Sequence, residues 1–464
     1  MAETIAASAA DLIGARIDRL PATPYVWRLV TLLSLGGIFE FYDLFMTAPI
    51  GPGLVRAGLF VRTSQAFFDI NALASFVAAT FAGLFVGTIG FGYVADRYGR
   101  RVIFTSALLW YSAATAVMAF QTSAGGVDLW RFIAGIGVGV ELVTIDAYIG
   151  ELVPKHLRSK AFAFNQTVIF GAVPAVAFLA WLLVPRNLLG LDGWRWVTLI
   201  GATGALVIWA IRRGLPESAR WLAGQGRVAE AERVMSGIEA RVAAEYGGPL
   251  PPPQPPGRHP ETSGAFSEIF RPPYRRRTIM LVVFNVAQAI GFYGFQAWVP
   301  QFLTSQGITV TSSLLFTFVI ALANPVGPLI GMLFTQRVEL KWQIVGAALG
   351  IAVFGLAFSQ MRAAGGVILF GVLVVLCANT MSFAFHAYQA ELYPTRIRAR
   401  AVGFVYSWSR FSTIFNAFII NFFLHRTGSL GVFVFIAGAM AVVIVAIGGF
   451  GPRTRNRALE AISG

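Results

Sequence analysis

At 464 residues, with 56% hydrophobic and 12% charged residues and a mean hydropathy of +0.68, the chain has too little polar surface to enclose a soluble globule. The formal net charge of +14 is not a nucleic-acid footprint, because the basic residues cluster in the short connections between apolar runs. The single cysteine, Cys377, lies inside an apolar run and excludes an intramolecular disulfide.

Residues 1–26 form an N-terminal segment. In it Leu12, Ile13, Ile17 and Leu20 share one helical face, which predicts a short helix lying at the membrane interface. Residues 27–211 hold six nearly charge-free stretches long enough to span a bilayer: Trp27–Ile50, Asn71–Ala95, Val102–Gln121, Leu129–Ile149, Ala161–Val184 and Trp196–Ile211. Residues 212–277 are the one polar region. Pro216, the helical spacing over Ala229–Arg241 and the stiff run Pro251–Pro256 predict a hinge without a core of its own. Residues 278–450 hold six more spans: Thr278–Phe302, Ser312–Phe334, Ile344–Gln360, Val367–Ala390, Ala401–Leu424 and Val432–Phe450. Residues 451–464 are a tail. Pro174 and the pair Asn324-Pro325 predict bends, since a proline frees a backbone carbonyl.

The predicted fold is therefore an all-α membrane protein of twelve helices in two six-helix bundles. Most Arg and Lys residues fall in the N-terminal segment, the even-numbered connections and the tail, which predicts both termini and the central region on the cytoplasmic side. Arg275, Arg276 and Arg277, just ahead of the seventh span, are placed to touch anionic lipid headgroups.

The two bundles are copies of one unit. The segment Glu151–Phe164 recurs 240 positions later as Glu391–Phe404, with Glu, Leu, Pro, Arg, Ala and Phe kept at six places. A repeat of this size in a hydrophobic chain points to a transporter built from two similar halves.

Between the second and third spans, Gly92, Asp96, Arg97, Gly99, Arg100 and Arg101 stand as G-x-x-x-D-R-x-G-R-R. The glycines allow a tight turn against neighbouring helices. Asp96 can accept from N–H groups at a helix start, and the arginines hold the loop at the headgroups, so the segment reads as a latch. Its repeat aligns Arg97 with Arg337 and Arg101 with Lys341, but Asp96 with Gln336, so the second latch lacks its acid. This motif resembles the corresponding loop of the major facilitator superfamily. The run from Arg131 through Gly135, Gly137 and Gly139, the segment Pro216–Leu222, the set Gly226, Arg227, Glu230 and Ala231, and the two E-L-x-P-x-x-x-R loops (Glu151 with Arg158, Glu391 with Arg398) resemble one branch of it. That branch contains sugar porters, organic-ion transporters and bacterial organic-acid:proton symporters.

Three features place the chain within the branch. The seventh span, with Gly291, Tyr293, Gly294, Trp298 and Pro300, looks like the G-x-Y-G-x-x-x-W-x-P pattern of organic-acid porters rather than the Gln- and Asn-rich helix of sugar porters. Arg16 to Pro21 resembles the R-x-D-R-L-P lead of nicotinate-type porters. Arg410 stands where organic-anion transporters carry arginine. Against these, Glu40-Phe41-Tyr42-Asp43 departs from the D-G-x-D of aromatic-acid porters and is closer to the E-W-Y-D of metabolite:proton symporters.

A charge at mid-bilayer costs about 2.5–3.5 kcal/mol, so each one inside a span needs a reason. The acids are Glu40 and Asp43 in the first span and Glu141 and Asp146 in the fourth; Arg410 in the eleventh reads as the only deep base, with His386 in the tenth. Counting helical rise puts Glu40, Glu141 and Arg410 each about 15–18 Å from the nearest cytoplasmic connection. Asp146 and His386 occupy matching places in the repeat and read as an inner-gate pair. Arg410 has two readings, a contact to an anionic substrate or a permanent salt bridge to Glu141 or Glu40. Tyr293, Gln296 and Tyr388 are candidates for the wall of a substrate site.

The expectation is a proton-coupled symporter of a small organic, plausibly aromatic, carboxylate in a bacterial-type cytoplasmic membrane. Arg410, Tyr293, Gln296, Glu141 and Tyr388 would bind substrate, and Glu40, Asp43, Asp146 and His386 would handle protons. No cofactor, nucleotide or nucleic-acid partner is expected, nor enzyme activity, and a monomer is. A neutral-sugar symporter is the alternative within the class, and a non-transporting membrane sensor the alternative outside it.

Overall fold

The computed structural model describes residues 11–64, 66–91, 97–204, 206–207, 214–253, 266–335 and 338–454. Nine of its helices are long and apolar enough to cross a membrane, and the bent pair Pro24–Phe45 and Thr47–Arg56 makes a tenth span. The last of the nine is two spans, because Thr395–Phe450 is broken at Gly428, whose φ of 67° is non-helical. The sixth span is described over Gly193–Ala202 and a few residues beyond. The twelve spans expected from sequence are thus accounted for.

Prolines set the bends. The expected single first span is broken near Met46. Pro49, just past the break, has no N–H to give the Phe45 carbonyl; inside the second piece Pro52 likewise leaves the Ala48 carbonyl, to which Gln301 Nε2 donates at 3.4 Å. The eighth span parts into Val310–Ala321 and Val326–Thr335. There Pro325 has no N–H for the Ala321 carbonyl, which accepts instead from the Asn324 backbone N–H at 2.9 Å and from Asn324 Nδ2 at 3.1 Å. The fifth parts at Gly171, ahead of Pro174.

The repeat is visible in atomic contacts. Arg158 Nε donates to the Val153 carbonyl at 3.1 Å, and Arg398 Nε, 240 positions on, donates to the Tyr393 carbonyl at 3.1 Å. In the N-terminal half Gly87 packs against Gly139 so closely that a Cβ would lie 3.1 Å from the partner Cα; in the C-terminal half Gly327 meets Asn379 at the equivalent crossing. Tyr148 donates to the Pro216 carbonyl after the sixth span, and Tyr388 to the Pro452 carbonyl after the twelfth.

On the side of the chain termini, the structure corrects one expectation and adds to another. A helix over 11–18 does not lie open at the interface; Ile13, Ile17 and Leu20 are buried, and of the predicted face only Leu12 is exposed. The central region, as expected, has no separate core, but it is packed down onto the shared one. Val228–Tyr246 buries Ala231, Met235, Ile238 and Val242 in the same core as the N-terminal helix. Arg16 clamps Glu232 (2.5 Å) and Glu239 (2.6 Å), Arg19 reaches Glu239 (2.7 Å), and Asp18 accepts from Lys155 N, Arg158 and Arg220.

On the opposite side the two halves are zipped together. Arg62 donates to the Thr304 carbonyl, Thr63 meets His425 at 3.4 Å, and Phe67 and Phe68 pack on Phe418.

Candidate functional site

The first, fourth, seventh and eleventh spans carry their ionisable and hydroxyl groups to one midplane cluster. Arg410 is 4% exposed. Its Nη1 donates to the Tyr293 hydroxyl at 2.6 Å and its Nη2 to the Tyr406 hydroxyl at 2.9 Å, while the guanidinium lies over both rings at 5.4 and 4.8 Å. No carboxylate among the described residues comes within 4.0 Å of it. The permanent salt bridge to Glu40 or Glu141, one of the two sequence readings, is not formed.

Tyr406 was not singled out from sequence, although it stands one helical turn before Arg410 and so on the same face. His386 lies edge-on to Tyr406, with ring centroids 5.1 Å apart, and its Nδ1 is 2.7 Å from the Ser382 carbonyl. Gln296 lines a narrow cleft with Phe45, Ala48 and Tyr293 between the first and seventh spans, and its buried Nε2 has no protein partner among the described residues.

Across from Arg410 stand the acids. Glu40 and Glu141 are 1% and 0% exposed, and Oε1 of Glu40 and both carboxylate oxygens of Glu141 lack hydrogen-bond partners among the described residues. Glu40 lies in the electrostatic field of Glu141, Asp146, Arg410 and Asp43, and the Tyr111 hydroxyl lies beside Glu141.

Asp43 is held differently. Arg131 Nη1 donates to its Oδ2 at 2.7 Å and Thr115 to its Oδ1 at 2.7 Å, while Arg131 Nη2 bonds the Asp43 carbonyl and Thr47, and Nε bonds Thr80. Arg131 is wholly buried. It corrects the expectation that Arg410 is the only deep base. Sequence showed Arg131 as the head of a glycine motif, at the start of a predicted span; the helix begins earlier, at Ala124, which carries the guanidinium inward.

Two other expectations are corrected. Tyr388 is no part of this wall: its hydroxyl is spent on Pro452, at the end of the molecule that carries the termini. Asp146 and His386 both keep exposed surface and form no ion pair with each other; the His386 ring nitrogen Nδ1 is held at the Ser382 carbonyl instead.

Gly92 and Asp96 of the latch lie outside the described residues. Its remainder is an ion-pair and capping network: Arg100 grips Glu151 (2.8 Å), and Glu217 Oε1 accepts from the backbone N–H groups of Arg100 (3.0 Å), Arg101 (3.2 Å) and Ser218 (2.9 Å). Glu217 thus caps the third span at its positive end. Gly99, with φ of 102°, sits where a Cβ would meet Glu217 Oε2 at 2.6 Å and Trp221 at 3.1 Å. Arg97 is exposed beside Tyr98. In the second half, Arg277 donates to the Leu392 carbonyl next to Glu391.

Two pseudo-symmetric six-helix bundles, zipped at one face and enclosing buried ionisable groups at midplane, define a membrane transporter of the major facilitator fold. The chain matches the family described as "Sugar (and other) transporter" over residues 29–464 and belongs to it. It is 28% identical over 463 residues to an inner membrane metabolite transport protein of Escherichia coli (strain K12), covering 98% of both chains. It is 25% identical to the niacin transporter of Acinetobacter baylyi, covering 97% of this chain and 99% of that one. Among solved structures, the inward-open xylose transporter of E. coli superposes with a TM-score of 0.73 at 20% identity, over 94% of this chain and 99% of the other.

Proposed function

We propose that this protein is a proton-coupled symporter of a small organic carboxylate, resident in a bacterial cytoplasmic membrane with both termini in the cytoplasm. One observation carries the substrate class: Arg410 is buried with its charge uncompensated. A guanidinium has five N–H donors, and the two tyrosine hydroxyls fix its plane while leaving donors for a planar anion. Burying an unpaired charge costs stability, so the site favours a ligand that supplies the counter-charge. The niacin transporter among its relatives supports a carboxylate, and Tyr293 and Tyr406 suit an aromatic one. A neutral sugar would leave Arg410 uncompensated.

The same charge balance gives coupling. Glu40 lies in the field of Arg410. A carboxylate arriving at Arg410 cancels that field, and a proton on Glu40 or Glu141 offsets the negative charge the carboxylate brings, so substrate and proton favour one another's binding. Asp43 adds a second carrier, because its protonation would release Arg131 and free the first span to shift against the fourth. Asp146 and His386, exposed at the terminal side, stand on the route between cavity and cytoplasm.

Uptake into proteoliposomes of labelled aromatic carboxylates and labelled sugars, with and without an inward proton gradient, tests this reading. Gradient-driven carboxylate accumulation supports it. Sugar accumulation with no carboxylate uptake contradicts it.

A further inference from the structure

The seventh and twelfth spans touch where glycine permits and part toward the terminal side. A Cβ on Gly291 would lie 2.6 Å from Met440 Cε, and one on Gly294 3.5 Å from Ile436 Cδ1. Beyond that crossing a groove of about 1050 Å³ opens between Ile279 and Val283 on one wall and Val442 and Val445 on the other, with Arg276 and Arg277 at its lip. All four wall residues are exposed on the outside of the bundle, where acyl chains lie.

The lip is built rather than incidental. Arg277 Nη1 donates to the Leu392 carbonyl at 3.1 Å and its guanidinium lies 5.9 Å from the Tyr274 ring centroid, which holds it at the groove mouth. Arg276 beside it is exposed, and neither arginine pairs with a carboxylate among the described residues. We propose that the groove is a binding site for an anionic phospholipid, with the phosphate at Arg276 and Arg277 and an acyl chain between the two spans. Arginine forks match phosphate oxygens, and the cytoplasmic leaflet carries the anionic lipids. The occupant is a lipid and not the transported substrate because the groove opens to the bilayer, away from Arg410. The choice of leaflet rests on the orientation proposed above; the binding itself does not depend on transport.

Native mass spectrometry of the full chain, titrated with phosphatidylglycerol and with phosphatidylcholine, tests this directly. The wild type should hold phosphatidylglycerol about tenfold more tightly than Arg276→Gln. Val445→Trp, which fills the groove without touching the charge, should lose the same lipid. Both positions are exposed, so both variants should fold. Equal retention of the two lipids, unchanged phosphatidylglycerol binding by Val445→Trp, or equally tight binding of glycerol phosphate without acyl chains would overturn the site. None of these results would bear on carboxylate uptake.

Discussion

Asp43 and Arg131 form a 2.7 Å ion pair in full burial, while Arg410 has no carboxylate within 4.0 Å among the described residues. The N-terminal half neutralises one of its acids internally. What remains is Glu40 and Glu141 in the N-terminal half and Arg410 in the C-terminal half, none of them in an ion pair among the described residues, and the proposed substrate class and coupling rest on that arrangement.

The pair should behave as a unit. Arg131→Gln leaves Asp43 buried with its main counter-charge gone, and should lower stability by about 3–5 kcal/mol. Combining it with Asp43→Asn should recover most of the loss. Thermal unfolding of the purified single and double variants measures this; equal melting temperatures for Arg131→Gln and the wild type would show that the pair contributes nothing.

Glu40→Gln and Glu141→Gln should each abolish or sharply reduce uphill accumulation while sparing exchange, since the amide mimics the protonated acid and cannot cycle. Counterflow and gradient-driven uptake, run on the same preparations, separate the two. Wild-type accumulation in both variants would remove these residues from the coupling path.

Gly99→Ala should weaken the latch by about 1–3 kcal/mol, because its backbone region is one that only glycine occupies readily. The added methyl would also meet Glu217 and Trp221. Hydrogen exchange at the start of the third span should rise in this variant and in Glu217→Ala.

The clasp between the N-terminal helix and Val228–Tyr246 should respond to acid. Burial pushes the Glu239 carboxyl up, but hydrogen bonds from Arg16 and Arg19 outweigh it and hold the group below its ordinary value. A depressed carboxyl contributes stability that is complete above its unfolded pKa and is lost as pH falls through the folded one. Protection of residues 11–20 from exchange should therefore be constant near neutrality and fall only at pH below the usual glutamate range. Glu239→Gln should lose that protection at neutral pH.

Much of this was legible in the sequence because the membrane constrains it. The bends at Pro174 and Pro325 and the 240-residue repeat follow from proline chemistry and from sequence, and the structure carries them; the span bounds were legible only coarsely, since the first span breaks near Met46 and the fourth begins at Ala124. Tyr293 was legible as a candidate wall residue of the seventh span, but its hydrogen bond to Arg410 across to the eleventh span was not. Partner choice was not legible: two buried arginines and four acids permit several pairings, and only the tilt and register of the fourth span decide that Arg131 takes Asp43. Glu217 was visible in its motif, but its capping role depends on the chain returning across the terminal face. The docking of the central region was hidden for a similar reason, since Val228–Tyr246 buries its apolar face in the shared core beside a helix over 200 residues earlier.

The most direct test is the affinity of Arg410→Lys for a labelled aromatic carboxylate, measured by saturable binding to the purified, reconstituted protein. Lysine keeps the charge but cannot reproduce the planar fork that Tyr293 and Tyr406 orient, so the account predicts loss of most affinity, about tenfold or more, with the fold intact. Wild-type affinity in Arg410→Lys and in Arg410→Ala would show that the carboxylate binds elsewhere, and would contradict the assignment of substrate class.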